Sequence, residues 1–255
     1  MRRIALPAAL VLSLVPLAAA GGAPSWSWPE QPKNLKVLGP DVKGEKLAAV
    51  MRGFTRALGV RCLHCHVGKE GQPFSSWDFA SDDNPNKDRA REMLRMLADI
   101  QTHLAKIQPS ESTRVEVGCY TCHRGRPRPT TIAEELQAAY AKGGAEAMHD
   151  AYDKLRAEYY GAGTLDFGPA GLEELGRRLL DRGDTAGAIA AFRLNSEQHP
   201  DSGRVWHALA AAYERAGQTE IAAIYYRKAL EVDPDDDDAL ARLRELGDAR
   251  PTTDH

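Results

Sequence analysis

Two short segments that combine cysteine and histidine carry the reactive side chains of this sequence. Each segment has the spacing C-x-x-C-H, and together they use all 4 cysteines of the chain. The residues concerned are Cys62, Cys65, His66, Cys119, Cys122 and His123. In such a segment the two thiolates can form thioethers with the vinyl groups of a porphyrin, and the adjacent histidine can ligate the iron from one face. The repeated spacing predicts two covalently bound haems c.

Three other uses of the cysteines explain the sequence less well. Two disulfides would leave the histidine after each cysteine pair without a reason. A thioredoxin-like redox pair needs a strand followed by a helix, and neither pair has that context. A single zinc ion could bind all four sulfurs, but His66 and His123 would then be a coincidence. His64, inside the first motif, is predicted to be a surface residue.

A helix is predicted immediately before the first motif. The stretch GEKLAAVMRGFTRALG has apolar residues at helical spacing and ends at Gly59, a residue type that often terminates helices. Its apolar face consists of Leu47, Met51, Phe54 and Leu58. On periodicity alone Met51 has two roles open to it, sixth ligand of the first haem or ordinary filling of the core.

A second helix is predicted before the second motif, over the stretch NKDRAREMLRMLADIQTHLAKIQ. Its apolar stripe is centred on Met93, which is the first choice for the sixth ligand of the second haem. Met96 lies toward the shoulder of the stripe and is predicted to fill the core. His103 is predicted to be exposed or at the haem edge, although a histidine ligand, which would lower the reduction potential, stays open.

The N-terminus has the composition of an export signal. Residues 1–23 begin with Arg2 and Arg3, continue as an apolar run, and end in small residues suited to cleavage after Ala20 or Ala23. The run is shorter than the roughly 20 residues that a membrane-spanning helix needs. We expect a cleaved signal peptide and a periplasmic, secreted or cell-surface protein. Removal of the signal peptide changes the formal net charge from −3 to −5, and this acidic balance gives no support to nucleic acid as a partner.

The remaining chain divides into a part with cysteines and a part without them. We predict a dihaem cytochrome c domain over residues 33–130, closed by the proline-rich GRPRPTT. A helical connector follows over residues 131–164, opening with the capping-box pair Thr131 and Glu134 and broken near Gly143. Nowhere do apolar and polar residues alternate convincingly as in a strand, so the fold class is predicted to be all-α.

Residues 165–250 repeat a helical pattern at a shift of 34 residues. The matched positions pair Leu172 with Trp206, Leu175 with Leu209, Gly176 with Ala210, Leu179 with Tyr213, Phe192 with Tyr226, and Pro200 with Pro234. This period and pattern resemble the tetratricopeptide repeat, in which two antiparallel helices pack small residues against large ones. We predict two repeats and a capping helix, and such stacks present a concave surface to protein partners.

A ligand-bearing helix before each C-x-x-C-H motif is similar to the arrangement in the cytochrome subunit of photosynthetic reaction centres. The stretches FASDDNP, AREMLRML and VGCYTCHRG strengthen this resemblance, which covers about residues 33–130. In that family each such helix supplies a methionine as sixth ligand, so the resemblance implies Met51 for the haem at Cys62 and Met93 for the haem at Cys119. The photosynthetic subunit binds four haems, whereas this chain has two motifs and a repeat domain in place of the rest.

An iron held on both faces has no open position, and its remaining chemistry is the gain and loss of one electron. The sequence therefore predicts a periplasmic or extracellular dihaem c-type cytochrome that carries single electrons between redox partner proteins and is not an enzyme. The repeats would serve docking or assembly, with a membrane complex or self-association both open. A dihaem peroxidase-type enzyme is the alternative, and the ligand helices before both motifs argue against it.

Overall fold

The computed structural model describes residues 26–107 and 115–247. The predicted signal peptide over residues 1–23 lies outside the described residues, as does the end of the predicted repeat domain at 248–250. Within the described ranges the regular structure is helical, and β structure is limited to one isolated bridge between Val67 and Asp78. The all-α prediction is confirmed. None of the helices in these ranges combines the length and apolar composition needed to cross a bilayer.

The helices of the described part are numbered α1 to α9 in chain order. They are α1 Gly44–Leu58, α2 Pro85–Ile107, α3 Cys119–His123, α4 Ile132–Tyr159, α5 Pro169–Asp181, α6 Thr185–Gln198, α7 Gly203–Arg215, α8 Thr219–Val232 and α9 Asp237–Glu245. Two short 3₁₀ turns, Cys62–His64 and Phe74–Ser76, lie between α1 and α2. The first C-x-x-C-H motif thus falls on a turn after α1, and the second forms α3 itself.

The part of the chain that contains the two motifs has few buried apolar side chains. Between residues 26 and 130 the buried apolar side chains of the described residues are Val42, Leu47, Ala48 and Ala57. Helix α2 is 23 residues long, yet it has no extensive contact with another described helix. A domain of about a hundred residues normally buries well over half of its unfolded surface. The elements of this part therefore surround space that side chains do not fill.

The end of α1 is joined directly to the second motif. Gly59 ends the helix in the left-handed conformation, with φ of 63°. The backbone N–H of Gly125 donates to the carbonyl oxygen of Ala57 at 2.9 Å, and a Cβ atom at Gly59 would lie 1.9 Å from the carbonyl oxygen of Gly125. This close approach needs glycine at position 59. It brings the end of α1 and the segment after α3 together.

Helix α4 joins the cytochrome part to the repeats and shares the core of the repeats. The predicted capping box is present, because Thr131 Oγ1 accepts from the backbone of Glu134 and the Glu134 carboxylate accepts from the backbone of Thr131. The predicted break is also present, with non-helical backbone at Gly143 and Gly144. The buried face of α4 packs on α5 and α6 through side chains that include Leu136, Met148 and Tyr152.

Helices α5 to α8 form two antiparallel pairs, and α9 packs on α8 at the end of the stack. The predicted pairing of small with large residues is visible at Gly176, where a Cβ atom would lie 2.5 Å from the ring of Phe192. At the equivalent positions of the second pair, Ala210 and Tyr226 are both buried in one core. The repeated pattern therefore describes the packing of these four helices.

Candidate functional site

The first motif forms a single tight turn. The backbone N–H groups of Cys65 and His66 both donate to the carbonyl oxygen of Cys62, at 3.2 and 3.0 Å. The start of α2 holds this turn in place, since Asn86 Nδ2 donates to the carbonyl oxygen of His64 at 2.9 Å. His64 is half-buried rather than fully exposed at this junction. The turn directs both thiols and the His66 ring into one cavity.

This first cavity has a volume of about 480 Å³, within the range of cofactor sites. Its lining brings the first motif together with the apolar face of α1 and the first half of α2. The lining side chains include Cys62, Cys65, His66, Met51, Phe54, Leu58, Ala90 and Leu94. Met51 therefore lines the same cavity as the three motif residues that the sequence groups with it. The donor set in this cavity is two thiols, an imidazole and a thioether.

An N-terminal strap, defined here as residues 26–38, forms a further wall of the first cavity. Asp82 fixes the strap. Its carboxylate accepts from Asn34 Nδ2 at 2.8 Å and pairs with Lys36 at 2.6 Å and with Arg91 of α2 at 2.8 Å. The hydrogen bonds from Lys36 and Arg91 hold the pKa of Asp82 well below its usual range. The carboxylate of Asp82, in the loop before α2, thus connects this loop to the strap and to α2.

Aromatic rings continue the first cavity outward from the motif. The ring of His66 meets Phe79 edge-on, with centroids 5.1 Å apart. Phe79 in turn contacts Trp26 of the strap at 5.6 Å and Trp77 at 5.7 Å. Edge and tilted contacts of this kind are favourable and rigid. They position the imidazole ring and exclude water from its surroundings.

Burial sets the protonation of the first motif. It raises the pKa of the Cys65 thiol and lowers the pKa of His66, and the nearby positive charge of Lys87 lowers the His66 pKa further. The carbonyl group of Phe79 partly opposes this lowering of the His66 pKa, although it does not meet the geometry of a hydrogen bond to the ring. A neutral imidazole keeps a free lone pair on one ring nitrogen, and this is the form that ligates metals.

Lys87 of α2 also lines the first cavity. Its ammonium group donates to the carbonyl oxygen of Phe79 at 2.8 Å and to that of Ser81. Burial lowers the pKa of Lys87, and the carboxylate of Asp82 acts in the opposite direction. The sequence prediction missed Lys87 and Asp82. Both stand in a charged stretch, DDNPNKDR, that reads as a solvated helix start and gives no sign of which charge faces inward.

The second motif is the short helix α3. Its start is capped by Thr121, whose Oγ1 accepts from the backbone N–H of Gly118 at 3.0 Å, and its end reverses at Arg124 with φ of 48°. His123 is 8% exposed, and its Nδ1 donates to the carbonyl oxygen of Arg126 at 2.9 Å. That hydrogen bond fixes the ring orientation and leaves the other ring nitrogen free, as in histidines that ligate metals.

The cavity beside the second motif is about 360 Å³ and more polar than the first. It is lined by Thr121, Cys122, His123, Arg124, Arg126, Pro129, Thr130, Thr131, Glu134 and Thr164. Arg126 is held by Glu135 of α4 at 2.8 Å. Helix α4 is thus attached to the second motif as well as to the repeats.

The three candidate sixth ligands of the second haem lie on α2 and do not line this second cavity. Met93 is 40% exposed and Met96 is 46% exposed, and His103 is exposed as well. The second half of α2 is nevertheless tied to the approach of the motif, because Gln101 Nε2 donates to the carbonyl oxygen of Val117 at 2.8 Å. The structure brings Met51 to its motif but does not bring Met93 to its own, and Met93 as a ligand stays a prediction.

The donors that line the first cavity fit a covalently bound haem. All four cysteines are free thiols, and within residues 26–107 and 115–247 no three acidic, cysteine or histidine side chains form a metal cluster. Cys62 and Cys65 could form the thioethers of a haem c in the first cavity, and His66 and Met51 could bind its iron. When bound, a haem supplies reversible one-electron chemistry at its iron. The His66 ring belongs to this donor set, and its buried Nδ1 has no hydrogen-bond partner among the described residues.

A C-x-x-C-H turn and a methionine that line one largely apolar cavity are typical of the class of c-type cytochromes. The family model described as photosynthetic reaction centre cytochrome C subunit matches residues 30–166, more than half of the chain, and the chain belongs to this family. The resemblance is confirmed, and the match continues past residue 130 through α4. The description of this family names a cytochrome c subunit, which fits the haem c predicted at the first motif.

Two further comparisons fit this assignment. A tetratricopeptide-repeat model matches residues 203–246, the segment from α7 to α9, and confirms a tetratricopeptide repeat there. The photosynthetic reaction center cytochrome c subunit of Rubrivivax gelatinosus is 32% identical over 99 residues, which are 35% of this chain and 25% of that protein. The chain therefore spans about a quarter of the length of this curated relative.

Proposed function

We propose that the chain is an exported dihaem c-type cytochrome that carries single electrons between protein partners. The observation that carries this proposal is the first cavity, where Met51 and the motif residues Cys62, Cys65 and His66 line one space of about 480 Å³. The thin side-chain core around it supports the same conclusion, because a large apolar cofactor would complete that core.

At the second site we propose that Cys119 and Cys122 attach the haem and that His123 and Met93 ligate its iron. The hydrogen bond behind His123 supports its role as a ligand. Met93 has a partly exposed thioether on a helix with little contact to other helices, and Gln101 holds that helix near the motif. Two axial protein ligands at each iron leave no position for a substrate, which favours electron transfer over enzymatic turnover.

Export and docking complete the proposal. The predicted signal peptide over residues 1–23 supports a periplasmic or surface location. The repeats, together with α4, support contact with proteins, because such stacks expose a continuous helical surface. The named relative belongs to a photosynthetic reaction centre, but the chain spans only a quarter of it, so we propose a redox protein as partner without carrying over that assembly.

The test is to produce the full chain in a host that attaches haem c and to determine the ratio of haem to protein. We expect two haems per chain, and a ferrous spectrum that carbon monoxide leaves unchanged. As matched controls, Cys62→Ser with Cys65→Ser, and Cys119→Ser with Cys122→Ser, should each remove one haem. A colourless product, or a single haem in the unaltered chain, would contradict the proposal.

A further inference from the structure

The two motif histidines differ in the hydrogen bonding of the ring nitrogen Nδ1. Nδ1 of His123 donates to the carbonyl oxygen of Arg126 at 2.9 Å. Nδ1 of His66 is buried and makes no hydrogen bond to the described residues, and the nearby carbonyl of Phe79 accepts from Lys87 instead. A hydrogen bond at Nδ1 makes the other ring nitrogen a stronger donor, and a stronger donor favours the oxidised, more positive iron. The arrangement at His123 therefore favours oxidation more than the one at His66.

A fixed positive charge stands in the wall of the first cavity. The Lys87 ammonium group is held by two carbonyl oxygens, those of Phe79 and Ser81, and its nearest ion-pair partner is Asp82 at 3.9 Å. Carbonyl oxygens orient an ammonium group without cancelling its charge. A positive charge beside an iron disfavours the more positive oxidised state and so favours reduction.

The arginines near the two sites contribute less. Arg91 also lines the first cavity, but it pairs with Asp82 at 2.8 Å. At the second site Arg126 pairs with Glu135 at 2.8 Å, so most of its charge is compensated. Arg124 is exposed there, and solvent and salt screen it. Arg61 and Asp78 also line the first cavity, but both are exposed and therefore screened. Lys87 therefore provides the main electrostatic difference between the sites.

The polarity of the surroundings also favours reduction at the first site more than at the second. The first cavity is enclosed by the strap and by apolar and aromatic side chains, whereas the second is lined by threonines, arginines and a glutamate. Cys122 of the second motif is exposed, whereas Cys119 and both cysteines of the first motif are half-buried. A less polar, less solvated environment disfavours the additional positive charge of an oxidised haem.

We propose that the first site holds its haem at a higher reduction potential than the second, and that Lys87 contributes to this order. The inference rests on the proposed function. With both haems bound, one electron would pass from the site at His123, which would be oxidised, to the site at His66, which would be reduced, with no bond formed or broken. Electrons from a reduced partner protein enter through the second site and leave from the first to an oxidised partner protein.

The experiment is a spectroelectrochemical titration of the full chain with both haems attached. The Met51→Ala variant assigns the steps, because the haem that loses its methionine–iron band in this variant is the first. We expect the step at higher potential to belong to that haem. Lys87→Gln keeps hydrogen-bond donors for the two carbonyls. We expect it to lower the reduction potential of this step by about 59 mV, which for one electron is a tenfold change in the equilibrium constant.

Two variants control for net charge and for folding. Arg89→Gln removes an exposed charge from the same helix and should shift the higher step far less than Lys87→Gln does. Lys87→Arg keeps the charge and should stay near the potential of the unaltered chain. The inference is overturned if the higher step belongs to the second haem, or if the Lys87→Gln and Arg89→Gln variants shift that step equally. A chain with fewer than two haems would instead overturn the proposed function.

Discussion

At the scale of single residues, the side chain that faces the first motif decides what the bound iron can do. Met51 lies on α1 at the wall of the first cavity, and its thioether is the soft, neutral donor that raises a haem potential relative to histidine. We expect Met51→Ala to leave one of the two irons with an open position. Carbon monoxide should then bind to about half of the ferrous haem, measured by the change in the Soret band.

The matched control is Met96→Ala, which removes an exposed methionine that is not the proposed ligand. Its ferrous spectrum should remain unchanged by carbon monoxide. Met93→Ala should open the second iron in the same way as Met51→Ala opens the first. Carbon monoxide binding in the Met96→Ala variant together with none in Met93→Ala would reverse the assignment of the second sixth ligand.

The sequence predicts the residues of the first site unevenly, for a physical reason. The C-x-x-C-H spacing fixes three of them because covalent attachment tolerates one geometry, and helical spacing indicates Met51. Lys87 and Asp82 are polar residues in a polar stretch, and their inward orientation follows from contacts with the strap and loop that are distant in sequence. No local pattern encodes such contacts.

At the scale of elements, the junction between α1 and the segment after the second motif depends on a glycine. Gly59 has φ of 63°, and an added Cβ would lie 1.9 Å from the carbonyl oxygen of Gly125. We expect Gly59→Ala to destabilise the protein by about 1–3 kcal/mol from the backbone conformation, with a further loss from the clash. Thermal unfolding followed by circular dichroism measures this change.

Gly53 is the matched control on the same helix. It is exposed in the interior of α1, and an added Cβ there would contact nothing within 4 Å. Because glycine weakens a helix interior, Gly53→Ala should stabilise the protein by about 0.5–1 kcal/mol. Opposite signs for the two substitutions are the expected result, and equal effects would show that the junction at Gly125 is not tight.

The strap over the first cavity gives a second prediction at this scale, in its dependence on pH. The pKa of Asp82 is lowered by Lys36 and Arg91, so folding is stabilised when this carboxylate is ionised. The stabilisation is present above the ordinary aspartate pKa of 3.8 and is lost as pH falls below that value toward the lowered pKa of the folded state. We expect Asp82→Asn to reduce the acid sensitivity of the folded protein below about pH 4.

Soret circular dichroism against pH follows the environment of the haem directly. Asp82→Asn should already show a weakened signal at neutral pH, with a smaller further loss in acid than the unaltered chain. Asp83→Asn, at the exposed neighbouring position, should behave like the unaltered chain. Identical acid profiles for all three proteins would mean that Asp82 does not hold the strap.

Sequence patterns describe the helices of this chain better than they describe how the parts are joined. The period of 34 residues and the capping box at Thr131 predict local packing that the structure contains. The predicted connector over residues 131–164 is less separate than its name suggests, since Leu136 and Tyr152 of α4 are buried with the repeats. Amphipathic spacing shows that a helix has a buried face, but it does not show which partner covers that face.

At the scale of the whole molecule, α4 makes the repeats part of the support of the second site. Its first turn holds Arg126 through Glu135 at 2.8 Å, and Tyr159 near its end stacks with the same guanidinium group at 5.4 Å. Arg126 in turn provides the carbonyl oxygen that orients His123. The far face of α4 is covered by α5 and α6, so the repeats stabilise this arrangement from behind.

We therefore expect a chain truncated after residue 164 to retain its first haem potential and to change its second. Without α5 and α6 the apolar face of α4 is exposed to water, and a helix in that state loses most of the packing that orders it. The carbonyl behind His123 then loses its fixed position, and the second reduction step should shift and broaden in a potentiometric titration. Truncation after residue 247 keeps every described helix and should change neither step. An unchanged second step in the shorter chain would mean that the repeats act on partners alone and give no support to the haem site.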